Sequence, residues 1–149
     1  MIIISNPIDL SKIVYTSRCS VYRDGVQSIP TGVQTEIEFN AEVYDQDSEF
    51  ANFRFTPTKA GWYDIKVQGW VGAVGGDKQC HICIYKNAIE KARSADDYSY
   101  NYLPGVVSKD LYLDGDTDYV KATIFHNSGV ARDLLGGEAV TWLTAHRFA

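Results

Sequence analysis

Residues 55–71 read FTPTKAGWYDIKVQGWV, and this stretch decides the fold class. Pro57 and Gly61 bracket a bend, and from Trp62 onward apolar and polar residues alternate without a break. Alternation with period two is the pattern of a β-strand, because successive side chains point to opposite faces. One face carries Tyr63, Ile65 and Val67; the other reads Trp62, Asp64, Lys66, Gln68 and Trp70. A strand of a simple sandwich needs only one apolar face. A second face that is polar in the middle and aromatic at both ends predicts a surface that meets something, either another copy of the chain or a ligand.

Working outward, the same alternation recurs along the chain. In residues 12–23, KIVYTSRCSVYR, one face takes Val14, Thr16, Arg18, Ser20 and Tyr22, and the other Ile13, Tyr15, Ser17, Cys19 and Val21. In 33–39, VQTEIEF, the pattern predicts Val33, Thr35, Ile37 and Phe39 inside, with Gln34, Glu36 and Glu38 outside. Further strands are predicted at 78–87, 110–116, 118–127 and 139–148, separated by turn signals such as Asp24-Gly25, Gly75-Gly76, Asp114-Gly115 and Ser128-Gly129. Residues 87–100, NAIEKARSADDYSY, are the only helix-capable segment and read as a strand end followed by a long loop. Short strands at this spacing predict an all-β sandwich or jelly roll. Met1–Lys12 reads as an N-terminal arm, with one jelly-roll domain over residues 13–149.

The totals agree with a single globular domain. A chain of 149 residues buries roughly 70% of its unfolded surface, and 45% apolar with 22% charged residues excludes disorder. A formal net charge of −5 argues against a nucleic-acid groove, which needs clustered Lys and Arg. The start, MIIISNPIDLSK, has an apolar run of only Ile2–Ile4 after Met1 and no basic residue ahead of it, so it reads as neither a signal peptide nor a membrane span. There is no Asn-x-Ser/Thr sequon, and three cysteines do not make a disulfide framework. These features predict synthesis in a reducing cytosol, without membrane insertion.

Taken in order, the motifs resemble the globular head of complement component one q, within the tumour necrosis factor-like jelly rolls. The resemblance runs from about Val33 to Phe148. VYDQDSEF (43–50) resembles the family's Tyr-Asp-x-x-Gly-x-Phe segment, and FTPTKAGWYDIKV resembles its Phe-x-x-Pro-x-x-Gly-x-Tyr signature through Phe55, Pro57, Gly61 and Tyr63, with Pro57 one place early. The Lys86-Asn87 end of one strand and the Leu113, Gly115, Asp116, Val120 segment are similar as well. The departures include Ala88 where Gly usually follows Asn, Ile65 in place of an aromatic, and a longer spacing between Asp116 and Val120. The resemblance implies a TNF-like jelly-roll sandwich of two antiparallel sheets and a homotrimer. It does not fix function, because one fold serves many roles.

Several residue groups invite chemistry. Cys80 and Cys83 have the Cys-x-x-Cys spacing of a zinc or redox site, but residues i and i+3 of a strand point to opposite faces, so they read as small buried hydrophobes. His81, His126 and His146 lie apart, and no nucleophile elbow, phosphate loop or His-Glu-x-x-His is present, so no catalytic residue, metal or cofactor is assigned. Asp114, Asp116 and Asp118 alternate like the opening of a calcium loop, yet Tyr119 and Phe125 stand where its Gly and Glu belong, which favours a structural turn over a cation site. Residues 95–105, ADDYSYNYLPG, place Tyr98, Tyr100 and Tyr102 on one face beside Asp96 and Asp97. Such rings pack across an interface or onto their own barrel, or else contact a ligand such as a sugar.

For the opening strand, the match at Tyr63 favours the Tyr63, Ile65, Val67 face as core or axis-facing, leaving Trp62 and Trp70 toward a second sheet or a neighbouring subunit. Trp62, Trp70, Tyr63 and Ile65 are therefore the candidate trimer-interface residues, with self-contact ranked before ligand. The expected function is a non-enzymatic virion structural protein (fibre head, spike or capsid decoration), located in the virion and partnered by itself, other virion proteins and a host surface glycan or receptor. That placement rests on the missing signal peptide, collagen stalk and sequons. A cellular glycan- or protein-binding module is the alternative.

Overall fold

The computed structural model describes residues 17–72, 78–95 and 103–149. The expected arm, Met1–Lys12, and the tyrosine loop with Asp96, Asp97, Tyr98, Tyr100 and Tyr102 lie outside the described residues.

The chain forms two antiparallel sheets. The strands are β1 (Arg18–Tyr22), β2 (Gln27–Ile29), β3 (Thr35–Glu36), β4 (Ala41–Asp45), β5 (Phe50–Ala51), β6 (Arg54–Phe55), β7 (Gly61–Val71), β8 (Cys80–Lys86), β9 (Ile89–Arg93), β10 (Leu103–Leu113), β11 (Val120–His126), β12 (Arg132–Leu134) and β13 (Trp142–Arg147). The first sheet runs β2-β12-β7-β13-β1-β4, with β10 on the other edge of β7. The second runs β5-β6-β11-β8-β9, with β3 also on β11. Among the described residues no helix is long and apolar enough to cross a membrane.

The opening stretch becomes β7, the longest described strand together with β10 and the centre of the first sheet. It pairs with β10 from Gly61↔Leu113 to Val71↔Leu103 and with β13 from Tyr63↔Arg147 to Gln68↔Trp142. Its inward residues Tyr63, Ile65, Val67 and Val71 are fully buried against Phe55, Ile82, Ile84, Val120, Ala122 and Ile124 of the second sheet. Burying such side chains is worth about 1.5–3 kcal/mol each relative to exposure, and this closes the sandwich.

Two turns interlock at the start of β7. Gly61 and Gly115 both have positive φ, and a Cβ on Gly115 would lie 2.3 Å from Ala60 N while one on Gly61 would lie 2.1 Å from the Ala149 carbonyl. Backbone passes so closely at both places that only glycine fits.

Some expectations change. Val33 is 51% exposed, and only Thr35–Glu36 of residues 33–39 is strand, although Ile37 and Phe39 are buried as expected. Residues 89–93 form β9 rather than a strand end and loop, because Lys86 and Ile89 pair across a two-residue turn, Asn87-Ala88. Asn87 carries the positive φ of that turn (57°), so Ala88 needs no glycine there. The Asn87 carboxamide also accepts from Tyr119 N and donates to Asp118 Oδ1, which ties the turn to the next strand. In VYDQDSEF the left-handed position is Ser48 (φ 55°), one residue before Glu49. Ser48 is the Gly position of Tyr-Asp-x-x-Gly-x-Phe counted from Tyr44, and Glu49, one residue on, is buried.

Candidate functional site: the outer face of the first sheet

Direct cross-strand partners share a face of a sheet, so the register builds the outer surface row by row. At one end Tyr112 of β10 faces Trp62 of β7. The next row is Arg18, His146, Asp64 and Asp110, from β1, β13, β7 and β10. Then come Ser20, Thr144, Lys66 and Ser108, followed by Tyr22, Trp142, Gln68 and Val106. Trp70 closes the far end, opposite Pro104. The pattern seen along one strand, aromatic at both ends and polar between, therefore extends across four strands.

The aromatic end is open. Trp62 and Tyr112 are 47% and 49% exposed, and their rings meet edge-on at a centroid distance of 5.9 Å. Val43 and Val106 on the same sheet are also about half exposed. At the other end a shallow groove of about 200 Å³ is lined by Tyr22, Val43, Trp142, Thr144, Ser20 and Glu138. Trp70 is only partly buried overall, yet its indole Nε1 is buried and has no hydrogen-bond partner among the described residues.

The polar middle is organised. Lys66 Nζ donates to Asp64 Oδ2 at 2.6 Å, and this hydrogen bond raises the Lys66 pKa. Asp110 stands directly opposite Asp64, and like charges so placed repel. Tyr44 of β4 reaches over β1 to His146 of β13, with its hydroxyl 2.6 Å from Nε2 and the two rings nearly parallel at 18°. The Arg18 guanidinium lies over the Tyr44 ring at 5.2 Å, while its Nε donates to Gln46 Oε1. Partial burial, with Arg18 and Lys66 as neighbouring cations, holds the His146 pKa below its usual value against the opposing pull of Asp64.

Of the sequence-derived interface candidates, Trp62 and Trp70 lie on this face. Tyr63 and Ile65 do not: both are fully buried inside the chain, so the Tyr63, Ile65, Val67 face is core and offers nothing to a neighbour. Tyr63 has a further role that its spacing did not reveal. Its hydroxyl donates to the Lys59 carbonyl at 2.6 Å and lies 2.6 Å from Ser17 Oγ, which also meets Glu49 Oε2 at 2.7 Å. Thr58 donates to Glu49 Oε1 through both N and Oγ1, and Asp47 Oδ2 holds Ser17 N and Lys59 Nζ. This buried network seats residues 45–59 against β7. A single Glu among turn residues carries no signal that it will be buried.

The remaining candidates behave as structure. Asp114 Oδ1 accepts from the backbone N–H groups of Asp116, Thr117 and Asp118, and Oδ2 accepts from Thr117 Oγ1. Asp118 Oδ2 pairs with Lys86 Nζ at 2.6 Å. Cys80 and Cys83 are both buried, Cys80 toward the core and Cys83 on the outer side, where burial pushes its thiol up to about 11. His126 is buried, with Nε2 against the Ile29 carbonyl at 2.9 Å. Among the described residues no group of three or more His, Cys, Asp or Glu is placed to hold a metal ion.

The architecture, two antiparallel sheets with β1, β13, β7 and β10 side by side, matches solved structures. The globular domain of the zebrafish complement 1qA protein superposes with a TM-score of 0.64 over 89% of this chain and 98% of that one, at 14% identity. The fold is the jelly roll of the complement one q and tumour necrosis factor proteins. Eiger TNF from S. frugiperda aligns at TM-score 0.61 and 10% identity over 89% of this chain and 92% of its own. Murine APRIL aligns at 0.55 and 11%, over 85% and 100%. No protein-family model and no curated protein matches the chain by sequence. At these identities the likeness concerns the jelly roll itself, and function rests on the site.

Proposed function

We propose that this chain is a non-catalytic, self-assembling recognition module, a homotrimer that buries the outer face of the first sheet between copies. The observation that carries the reading is the row pattern of that face. Half-exposed Trp62, Tyr112, Val43 and Val106 surround a mixed-charge centre of Arg18, Lys66, Asp64 and Asp110. Exposed aromatic residues are enriched in protein interfaces. Charges of both signs let one copy complement the next without a net penalty, and a closed ring is the usual form of a soluble homo-oligomer.

We further propose a virion role, as a fibre head, spike or capsid decoration, in which three rigidly held sites gain avidity for a host surface glycan or receptor. The buried, unbridged thiols of Cys19 and Cys83 and the lack of any sequon support assembly in a reducing compartment. In this reading Met1–Lys12 contacts other virion proteins, and the segment with Asp96, Asp97, Tyr98, Tyr100 and Tyr102 contacts the receptor.

Native mass by light scattering after size exclusion, across a dilution series, tests assembly: a species of about three chains is expected, and a monomer at every concentration overturns it. Binding to purified capsids that is lost on removing Met1–Lys12 identifies decoration. Binding to host cells that survives this truncation but fails in Tyr98→Ala/Tyr100→Ala identifies adhesion. Binding to glycans or proteins without any capsid or host-cell preference would favour the cellular module instead.

A further inference from the structure

We infer that self-association through the outer face of the first sheet is gated by protonation at His146, so that the assembly forms near neutral pH and loosens in mild acid. This rests on the reading of that face as the self-contact surface. The geometry begins with a position: His146 lies in the charged row, flanked by Arg18 on β1 and Asp64 on β7. Tyr44 of β4 crosses over to hold its Nε2 at 2.6 Å.

The groups facing the ring from each adjoining strand decide what a proton there would meet. From β1 comes Arg18, which already sits 5.2 Å above the Tyr44 ring. From β7 come Asp64 and Lys66, but the Asp64 carboxylate is engaged by Lys66 Nζ at 2.6 Å. From β4 comes the Tyr44 hydroxyl, which is neutral, and beyond Asp64 stands Asp110 of β10. A neutral imidazole can accept the tyrosine proton at Nε2, which leaves one cation at this corner of the face. A protonated ring puts a second cation beside Arg18, with the nearest carboxylate already paired.

On a free chain this cost is only partial, because part of the His146 ring still meets water. In the assembled state a second copy excludes that water, and an unpaired charge is costly to bury. Partial burial, with Arg18 and Lys66, already lowers the His146 pKa in the single chain against the opposing pull of Asp64. The sign follows. The assembled form binds fewer protons than the free chain, so association is favoured above the free-chain value, which itself lies below the ordinary imidazole one, and declines as pH falls through the window below it. With one such site on each of three chains, linkage allows the trimer association constant to fall by up to about a thousandfold per pH unit within that window.

The experiment is sedimentation equilibrium at about pH 8 and about pH 5.5, above the carboxylate range, for the wild type and for His146→Gln. The expected result is a wild-type trimer that weakens about tenfold or more in association constant between the two, and a His146→Gln trimer whose constant is the same at both. A wild-type trimer equally tight at both pH values overturns the gate and leaves the assembly standing. A wild-type monomer at both overturns the assembly and the gate with it. A His146→Gln trimer that retains the pH dependence overturns the assignment to this residue. Should His146→Gln fail to fold, the imidazole titration is followed by NMR in the wild-type trimer and in a Trp62→Ala monomer. A lower pKa in the trimer supports the gate, and equal values overturn it.

Discussion

Trp62 and Tyr112 face each other across the β7–β10 ladder, edge to face at 5.9 Å, and each leaves about half of its surface to solvent. The pair is pre-ordered, since each ring restricts the other, yet the chain itself covers neither. Trp62→Ala is expected to weaken self-association by on the order of thirtyfold or more, as for a central aromatic anchor. The thermal midpoint of the monomer should hardly move. Light scattering across dilution, paired with a thermal melt, checks both; unchanged assembly would remove this end of the face from the interface.

Tyr63 is the inward neighbour of Trp62, and its prediction concerns stability. Tyr63→Phe keeps the ring packed on Phe55 but leaves the Lys59 carbonyl and Ser17 Oγ without the hydroxyl. A loss of about 1–3 kcal/mol is expected from urea unfolding. A neutral result would mean that water replaces the phenol oxygen.

Asp114 organises its turn through three backbone N–H groups and one hydroxyl. The N–H groups of Asp118 and Asp116 hold its carboxyl far below the usual carboxylate range. A depressed carboxylate contributes stability that is present above the unfolded value, about 4, and is lost as pH falls toward the folded one. Asp114→Ala should therefore lower the urea midpoint near neutral pH and flatten the loss of stability below about pH 4. Asp116→Ala, whose side chain takes no hydrogen bond in the described contacts of this turn, should do neither. Added calcium should leave the wild-type melting curve unchanged.

Ser48 occupies a left-handed position in the turn before β5, with its side chain exposed. A left-handed non-glycine residue costs roughly 1–2 kcal/mol, and glycine returns part of that through its larger unfolded-state entropy. Ser48→Gly is expected to stabilise by about 0.5–1 kcal/mol, read from the shift in urea midpoint. A destabilisation would show that the serine hydroxyl has a partner of its own.

The thiols should be silent in the native protein. Cys19 and Cys83 are fully buried, and burial raises both above the ordinary thiol range, Cys83 to about 11. Few thiolates then exist at about pH 8, and the thiolate is the reactive form. A maleimide or disulfide reagent at about pH 8 should label neither residue until denaturant is added. Fast labelling of either one in the folded state would contradict the packing.

Much of the fold was legible in the sequence. The alternation of residues 61–71 became β7, Cys19 and Val21 share one face of their strand as the alternation required, and Asp114-Gly115 made a turn. Local pattern suffices there because strand period and turn chemistry act between near neighbours. It failed at Val33, which alternates correctly yet extends past the sheet, and at residues 89–93, where a polar strand pairs at the edge of the second sheet beside β8. Edge strands need little apolar residue content, so composition does not announce them.

For the candidate site the division is sharper. The sequence by itself determined that β7 has two faces, one uniformly apolar and one polar between tryptophans. Period two is the same whichever face turns inward, so the pattern could not say that Tyr63 and Ile65 would be wholly internal. Only the tertiary structure set the register that lines Arg18, His146, Asp64 and Asp110 into one row. It alone brought Tyr44 to His146 across 102 residues of chain, and Glu49 beneath Ser17 and Thr58. Those meetings depend on pairing between strands far apart in sequence, and long-range pairing is decided by the packing of the whole sandwich.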